Sequence, residues 1–438
     1  MITAVVGRTF LDAYNNIKYN KQLTPKEFFI EEYFELFYNH SKYMQWVTNS
    51  PFVQMKAGQK SHLLTAKDRQ EKLESLFEKI SNEFPDASFA LGFPASETKE
   101  FASTSGLVTD ILIPSNEDEI YLSWIGSGLG IGVAGGYTLL FDDARITLQT
   151  YYGWKLYRKY LNDRTLEKLR GNQIGTWNGQ WLAYSLSEDF DESFDFSILV
   201  DEKIFSIDPE KIEANTINWS KLFFSLSQLY PNEALTAYVY GFGQTNKTIG
   251  FIPFQLKSGT KLKSIYKQLT GKDSSISTND FESLFGMHIK RACELGSIGL
   301  QALRPEALTK YMGESKNLSF KNDDDKTNYY VFKTWLIAML NKNKEEVTEH
   351  TLELAKIILR YRNSGTKNDR KTLVENLFEN KSKKGFIESL TIMVKDLGSE
   401  DLLVIKNLKD EIHLMTNEEF GYFSTLLKFD YAFLEKQS

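Results

Sequence analysis

Cysteine is almost missing: Cys293 is the single thiol in 438 residues, which excludes an internal disulfide and a cysteine-rich zinc site. A reducing, cytoplasmic setting is the expectation that follows. No apolar run reaches the length of about eighteen residues that a membrane helix needs, so no membrane partner is expected. The N-terminal MITAVVGRTFLDAYNN has no basic stretch and only five apolar residues in a row, too few for a signal peptide. P-loop, G-x-S-x-G and Cys/His-cluster motifs are all lacking, so no set of nucleophile, base and metal ligands marks a catalytic centre. Neither an enzyme activity nor a cofactor nor a bound metal is therefore expected. Overall positive charge is lacking too. At a net −6 the chain is not a wholly basic nucleic-acid binder.

What is present is enough apolar residue, 42% with 14% aromatic, to exclude disorder and to build two or three domains. The charge is unevenly spread. Residues 355–384 hold nine Lys/Arg against three acids, and residues 145–170 hold seven against two. Such asymmetry directs an anionic partner to particular faces.

The most constrained stretch is Glu119 to Phe141, where six glycines (126, 128, 130, 132, 135 and 136) lie between two apolar runs. Gly130, Gly132 and Gly135 fit G-x-G-x-x-G, but that fingerprint needs a helix opening on its last glycine to receive the pyrophosphate. Gly136-Tyr-Thr-Leu-Leu-Phe is strand-like instead. Two strands joined by a glycine-rich bend is the better reading, with backbone laid against a nucleic acid left open.

Along the chain, Ile2 to Val6 predicts a short strand. Thr24-Pro25-Lys26-Glu27 predicts a capped helix carrying Phe28, Phe29, Tyr33, Phe37 and Tyr38. Tyr43 to Met55, with Trp46, reads as an apolar loop packed on the body. Leu73, Leu76, Phe77, Ile80 and Phe84 share one face of a helix from Thr65 to Phe84. Ser88 to Gly92, Leu107 to Ile113 and Phe196 to Val200 predict strands, and Phe101 to Gly106 a polar loop. Acids at 117–119 predict a turn. Helices are expected after Asp142, over Trp219 to Tyr230 and over Asp280 to Leu295, with a β-hairpin between Ala237 and Leu256. From Thr327 onward the pattern is helical throughout: Phe332, Trp335, Leu336 and Met339 begin it, and a capping box at Thr416 to Glu419 opens the last helix. The fold class expected is α+β: a mixed body over 1–320, a linker at Lys321 to Lys326, and an all-α bundle over 327–438.

Three features point to nucleic-acid binding. Lys155, Arg158 and Lys159 share a helix face among Tyr151, Tyr152, Trp154, Tyr157 and Tyr160, with Arg164 and Arg170 following. A presumed loop from Arg170 to Trp181 offers Asn172, Gln173, Trp177, Asn178 and Gln180, whose amides suit base edges and whose indoles suit stacking, or equally a turn packed into the core. Lys356, Arg360, Arg362, Lys367, Arg370, Lys371, Lys381, Lys383 and Lys384 form a second basic track suited to phosphates, and Lys247 would stand at a hairpin tip. Asp142 with Asp143, or Glu346 with His350 and Glu353, leave open a metal-dependent enzyme of nucleic-acid metabolism. An assembly scaffold of a defence system without DNA contact is the third alternative.

The order of parts, together with the glycines of Tyr121 to Tyr137 leading into YYGWKLYRKYL and the terminal KTLVENLFENKSKKGFIESL to EEFGYFSTLLKFDYAF, resembles the large subunit of type I CRISPR Cascade surveillance complexes. The chain departs from the branch of that family bearing paired C-x-x-C motifs. The resemblance implies a non-enzymatic subunit that recognises the protospacer-adjacent motif in duplex DNA, supports R-loop formation and recruits a helicase-nuclease. Double- and single-stranded target DNA, CRISPR RNA and other Cascade subunits would be its partners.

Overall fold

The computed structural model describes residues 1–18, 21–47, 50–82, 116–187, 190–241, 247–271, 281–282, 284–287, 289–313, 318, 320, 323–340, 344–364 and 368–437. It is α+β and divides into two compact units: Met1–Tyr230 with Ala234–Phe254, and Pro231–Glu233 with Gln255–Ser438. The division thus falls well before the break expected near residue 320. The strand predictions at 88–92 and 107–113, and the polar loop between them, lie outside the described residues.

In the first unit, α1 (Ile2–Ile17) replaces the predicted N-terminal strand. Val6, Phe10 and Tyr14 recur at helical spacing and are buried, a period that outlasts the short β-branched run. α2 begins at Pro25 with the expected capping box: Glu27 N donates to Thr24 Oγ1 at 3.3 Å, and Thr24 N to Glu27 Oε2 at 2.8 Å. It widens into a π-helical turn over Phe29–Phe34 and ends over Glu35–Phe37. In α3 (Ala66–Asn82), Leu73, Leu76 and Ile80 of the predicted apolar face are buried, and Phe84 lies outside the described residues.

The first half of the glycine stretch is not a strand but α4 (Glu117–Gly128), capped by Asn116, whose side chain accepts from Glu119 N at 2.9 Å. Acids 117–119 are its first turn, where the helix dipole favours them. Ile120 to Gly128 are all buried, so no polar stripe betrays the helical period. Its glycines serve packing: a Cβ on Gly126 would stand 1.9 Å from Thr3 O of α1. β1 (Ile131–Val133) and β2 (Tyr137–Phe141) then form the expected hairpin, turning through Gly135 and Gly136 at φ +88° and +75°. β5 (Ala234–Gly241) pairs antiparallel with β2, Phe141 opposite Ala237, and β6 (Lys247–Gln255) completes the order β1-β2-β5-β6.

α5 (Ala144–Asn162) and α6 (Ile174–Ser185) pack their aromatic faces into one core with α1, α2 and α4. Most of the predicted 170–181 loop is therefore helix. α7 (Phe196–Asp201) is also helix where a strand was expected, because Asp195 accepts from Ser197 N and Ile198 N and caps it. β3 (Phe205–Ile207) and β4 (Ile212–Ala214) make a small separate ladder, and α8 (Trp219–Leu229) follows as predicted.

The second unit opens with α9 (Lys257–Thr270). The helix expected over Asp280 to Leu295 is interrupted by β7 (Phe285–Met287), which pairs with β8 (Leu303–Pro305) around α10 (Ile289–Leu295). After α11 (Leu308–Gly313) come, among the described residues, six helices: α12 (Asp323–Met339), α13 (Lys344–Asn363), α14 (Asn368–Glu379), α15 (Lys383–Val394), α16 (Ser399–Leu414) and α17 (Asn417–Gln437). Asp323 to Lys326 belong to the first turn of α12 rather than to a linker. α12 and α17 share a buried ion pair, Lys333 Nζ to Asp430 Oδ1 at 2.6 Å, and the Tyr329 hydroxyl donates to the same oxygen at 2.8 Å. Among the described residues, no helix is long and apolar enough to cross a membrane.

Candidate nucleic-acid interface

The end of α4, the β1–β2 hairpin, the start of α6 and the segment at Gln45–Trp46 enclose an open groove of about 530 Å³. Its walls are held from behind. Asn178, fully buried on α6, donates through Nδ2 to Gly128 O at 2.8 Å and Gly130 O at 2.9 Å. A Cβ on Gly132 would meet the Gly175 backbone at 3.0 Å, so β1 lies directly on the first turn of α6. Trp219 Nε1 donates to Ala134 O at 2.9 Å and fixes the hairpin from the other side. Gln45 Nε2 donates to Ser127 Oγ at 3.0 Å, while its Oε1 accepts from the Tyr33 hydroxyl at 2.8 Å.

The lining is Gly130, Gly132 and the 133–136 turn of the hairpin, the amides of Gln45, Asn172 and Gln173, the hydroxyls of Ser127, Thr138, Thr176 and Thr216, Ile174 with Gly175, and the rings of Trp46, Tyr137 and Tyr240. Trp46 is 46% exposed, the only tryptophan among the exposed large apolar side chains of the described residues. No Asp, Glu, Lys, Arg or His lines the groove among the described residues. Burial raises the Tyr240 hydroxyl well above the ordinary tyrosine range and keeps it protonated. A surface of this kind offers glycine backbone, neutral donors and acceptors and aromatic rings, of which the Trp46 indole is the exposed one. Its volume falls in the range of about 300–1,000 Å³ usual for small-ligand sites.

The residues expected to read bases divide sharply. Asn172 is exposed and lines the groove, and Gln173 lines it while its Oε1 accepts from Ala214 N at 3.1 Å. Trp177, Asn178 and Gln180 are buried and face inward. The Trp177 indole donates to Gly153 O at 2.7 Å within a stack on Tyr157 and Phe205, and Gln180 Nε2 donates to Asn215 O at 2.8 Å. These three side chains are internal clamps, because helix α6 turns them into the core.

The basic face of α5 is likewise broken up. Arg158 is buried, its Nε donating to Leu36 O at 2.7 Å and its terminal nitrogens to Leu36 O and Lys42 O, which removes it from any surface track. Burial lowers its pKa to about 10. Lys155 lies 3.9 Å from Glu32 and over the Tyr151 ring, and Arg170 pairs with Glu213 at 2.9 Å. Lys159 and Arg164 are exposed.

On the helices of the second unit, acids answer most of the basic track. Lys356 pairs with Glu353 and Arg360 with Asp401, each at 2.7 Å; Arg370 pairs with Asp396 at 3.3 Å; Arg362 is bound to Glu435. Lys371 and Lys384 stand 3.9 Å from Glu375 and Glu388, and Lys383 Nζ donates to Met415 O at 2.7 Å. Lys381 is exposed. Lys367 and the side chain of Lys247 lie outside the description; Lys247 itself opens β6.

Of the acids weighed as metal ligands, Asp142, Asp143 and Glu353 have other partners, and the side chain of Glu346 lies outside the described residues. Asp143 caps α5 through Arg145 N and Ile146 N and accepts from the Tyr230 hydroxyl, and Asp142 accepts from Thr9 Oγ1 at 2.5 Å. His350 Nδ1 lies 3.0 Å from Glu411 Oε1 of α16. No group of three or more His, Cys, Asp or Glu side chains at metal-binding distance occurs among the described residues. Sequence reasoning missed Trp46 and Gln45, since an irregular apolar segment carries no period to tell an outward ring from a packed one. No protein-family model matches the chain, and no curated protein or solved structure is detectably similar to it.

Proposed function

We propose that the chain is a nucleic-acid-binding subunit and that the groove beside the glycine hairpin, rather than either basic track, receives the nucleic acid. The observation that carries this reading is the lining: an exposed indole, the Asn172 and Gln173 amides, the Tyr137 and Tyr240 rings and a glycine-rich hairpin, with no ionised side chain among the described residues. Amides pair with base edges, an indole stacks on any base, and glycine backbone lets a flat ring approach closely. The resemblance to the large subunit of type I Cascade supplies a setting. There the chain would recognise a protospacer-adjacent motif in duplex DNA, support the R-loop and recruit a helicase-nuclease, beside CRISPR RNA and the other subunits.

The test is fluorescence anisotropy of labelled single-stranded and duplex oligonucleotides against wild-type chain, Trp46→Ala and Asn172→Ala. Loss of one stacked base costs about 1–3 kcal/mol, so Trp46→Ala weakens binding about fivefold or more, with an unchanged melting temperature because the ring is half exposed. Asn172→Ala changes the preference among sequences more than the average affinity. Wild-type affinity in both variants, or no binding by the wild type, overturns the reading and leaves the scaffold alternative.

A further inference from the structure

Gln173 stands immediately before α6, and its side chain does not cap that helix. It crosses instead to β4, where Oε1 accepts from Ala214 N at 3.1 Å. That bond decides which way round the amide lies: a main-chain N–H holds the carbonyl end, and Nε2 with its two hydrogens is left for the groove that Gln173 lines. Because α6 has no side-chain cap, the first-turn N–H groups of Gly175 and Thr176, two further lining residues, have no acceptor among the described residues. Ser127 brings a fourth donor. Its Oγ accepts from Gln45 Nε2 at 3.0 Å, and its own hydroxyl hydrogen remains to be given.

This wall therefore presents hydrogens more than lone pairs. An occupant meets it with carbonyl oxygens or ring nitrogens and not with an exocyclic amino group, because an N–H set against an N–H leaves both donors unpaired. Guanine offers O6 beside N7, and thymine and uracil offer O4, whereas adenine and cytosine carry amino groups at the corresponding positions. Resting on the nucleic-acid reading of the groove, we infer that it selects keto-bearing bases over amino-bearing ones and that Gln173 is the specificity-determining residue. A phosphate group seeks the same donors, but no cation lines the groove among the described residues to offset its loss of water.

The experiment compares binding of the full chain to labelled oligodeoxyuridylate and oligodeoxycytidylate of equal length, by fluorescence anisotropy at neutral pH. Uracil and cytosine match in size and differ in the keto or amino group at C4. Wild type should favour the uridylate about fivefold or more, the effect of one donor left unpaired, and free inosine should compete better than free adenosine. Gln173→Glu keeps one oxygen for Ala214 N and turns a second, an acceptor, towards the groove. The uridylate-to-cytidylate ratio should then fall about fivefold or more, whatever the added charge does to affinity as a whole. A melting curve checks that this variant folds, and the inosine–adenosine comparison needs no variant. Equal affinities, or a preference for cytidylate, in a wild type whose binding Trp46→Ala weakens would overturn the selection and leave the groove reading standing. A ratio unchanged in folded Gln173→Glu would refute the role of Gln173. Competition by inorganic phosphate as strong as by inosine would assign the donors to a phosphate instead. No binding at all, or binding indifferent to Trp46→Ala, would overturn the groove reading and the selection together.

Discussion

Replacing Asn178 by aspartate is the sharpest probe of how the groove is held. The side chain is fully buried and gives both amide hydrogens away, to Gly128 O at 2.8 Å and Gly130 O at 2.9 Å. Aspartate has the same shape, but its ionised form has no hydrogen to give and would face two carbonyl oxygens. It must therefore protonate. Taking an ordinary aspartate pKa of about 3.9 and about 1.36 kcal/mol per pH unit, protonation at pH 7 costs about 4 kcal/mol. The neutral acid donates once only, so one buried carbonyl stays unpartnered, at about 1–3 kcal/mol more. The folded-state pKa is raised above the unfolded value, so the folded form binds more protons and the penalty shrinks as pH falls. Denaturant titrations of both proteins from pH 7.5 to 5 should show the gap closing by about 1.4 kcal/mol per pH unit. Asn178→Ala should cost about 2–5 kcal/mol with no such pH dependence, since it leaves both carbonyls bare. A penalty for Asn178→Asp below about 1 kcal/mol at pH 7, or one that does not vary with pH, would refute the clamp.

Further outcomes follow from packing and charge. Gly126→Ala would set a Cβ 1.9 Å from Thr3 O and push α1 from α4, costing about 3 kcal/mol or more by denaturant titration; Gly421→Ala in α17, which meets nothing within 4 Å, should gain about 0.5–1 kcal/mol. Lys333→Met strands Asp430 and should cost about 3–5 kcal/mol, while Lys333→Met with Asp430→Leu recovers most of it; equal losses in both would show that volume rather than charge decides. His40 is held neutral, its pKa lowered to about 4 by burial first and by the Arg158 charge next. Its folded pKa lies below the unfolded one, so its contribution is whole above about pH 6.5 and is lost as pH falls towards the folded value. In thermal melts across that window His40→Asn should show a shallower decline than wild type.

Local signals were readable in the sequence, and signals that depend on which way a residue faces were not. The capping boxes at Thr24–Glu27 and Thr416–Glu419 form as read, because cap and partner lie within one turn. The six terminal helices were legible from their apolar period, and the β1–β2 turn from paired glycines that need positive φ. α4 was not, because a helix buried on every side has no polar stripe. Within 170–181, Asn172 and Asn178 are the same residue type six positions apart. The first is exposed in the groove and the second is wholly buried. What separates them is the start of α6 between them, a tertiary fact that amide chemistry alone cannot supply. The basic tracks misled for a related reason: a count along the chain cannot see Asp401, Asp396 or Glu435 arriving from other helices.

That neutralisation has a thermodynamic signature, and it separates the two ways this chain could hold a nucleic acid. A track of free lysines and arginines releases about one counterion per phosphate neutralised, so affinity falls by orders of magnitude between about 50 and 200 mM salt. Ion pairs already made within α13–α17 must break before their cations can serve a phosphate, and exposed pairs of this kind are worth up to about 1 kcal/mol each. Recruiting Arg360, Arg362 and Arg370 would thus spend part of each contact on undoing an existing one. Binding through the neutral groove needs no such exchange. Its salt slope should then be shallow, far below the count of basic residues in 355–384. A slope of several units in wild type would return the binding surface to the helical track and show that its ion pairs open on contact with DNA.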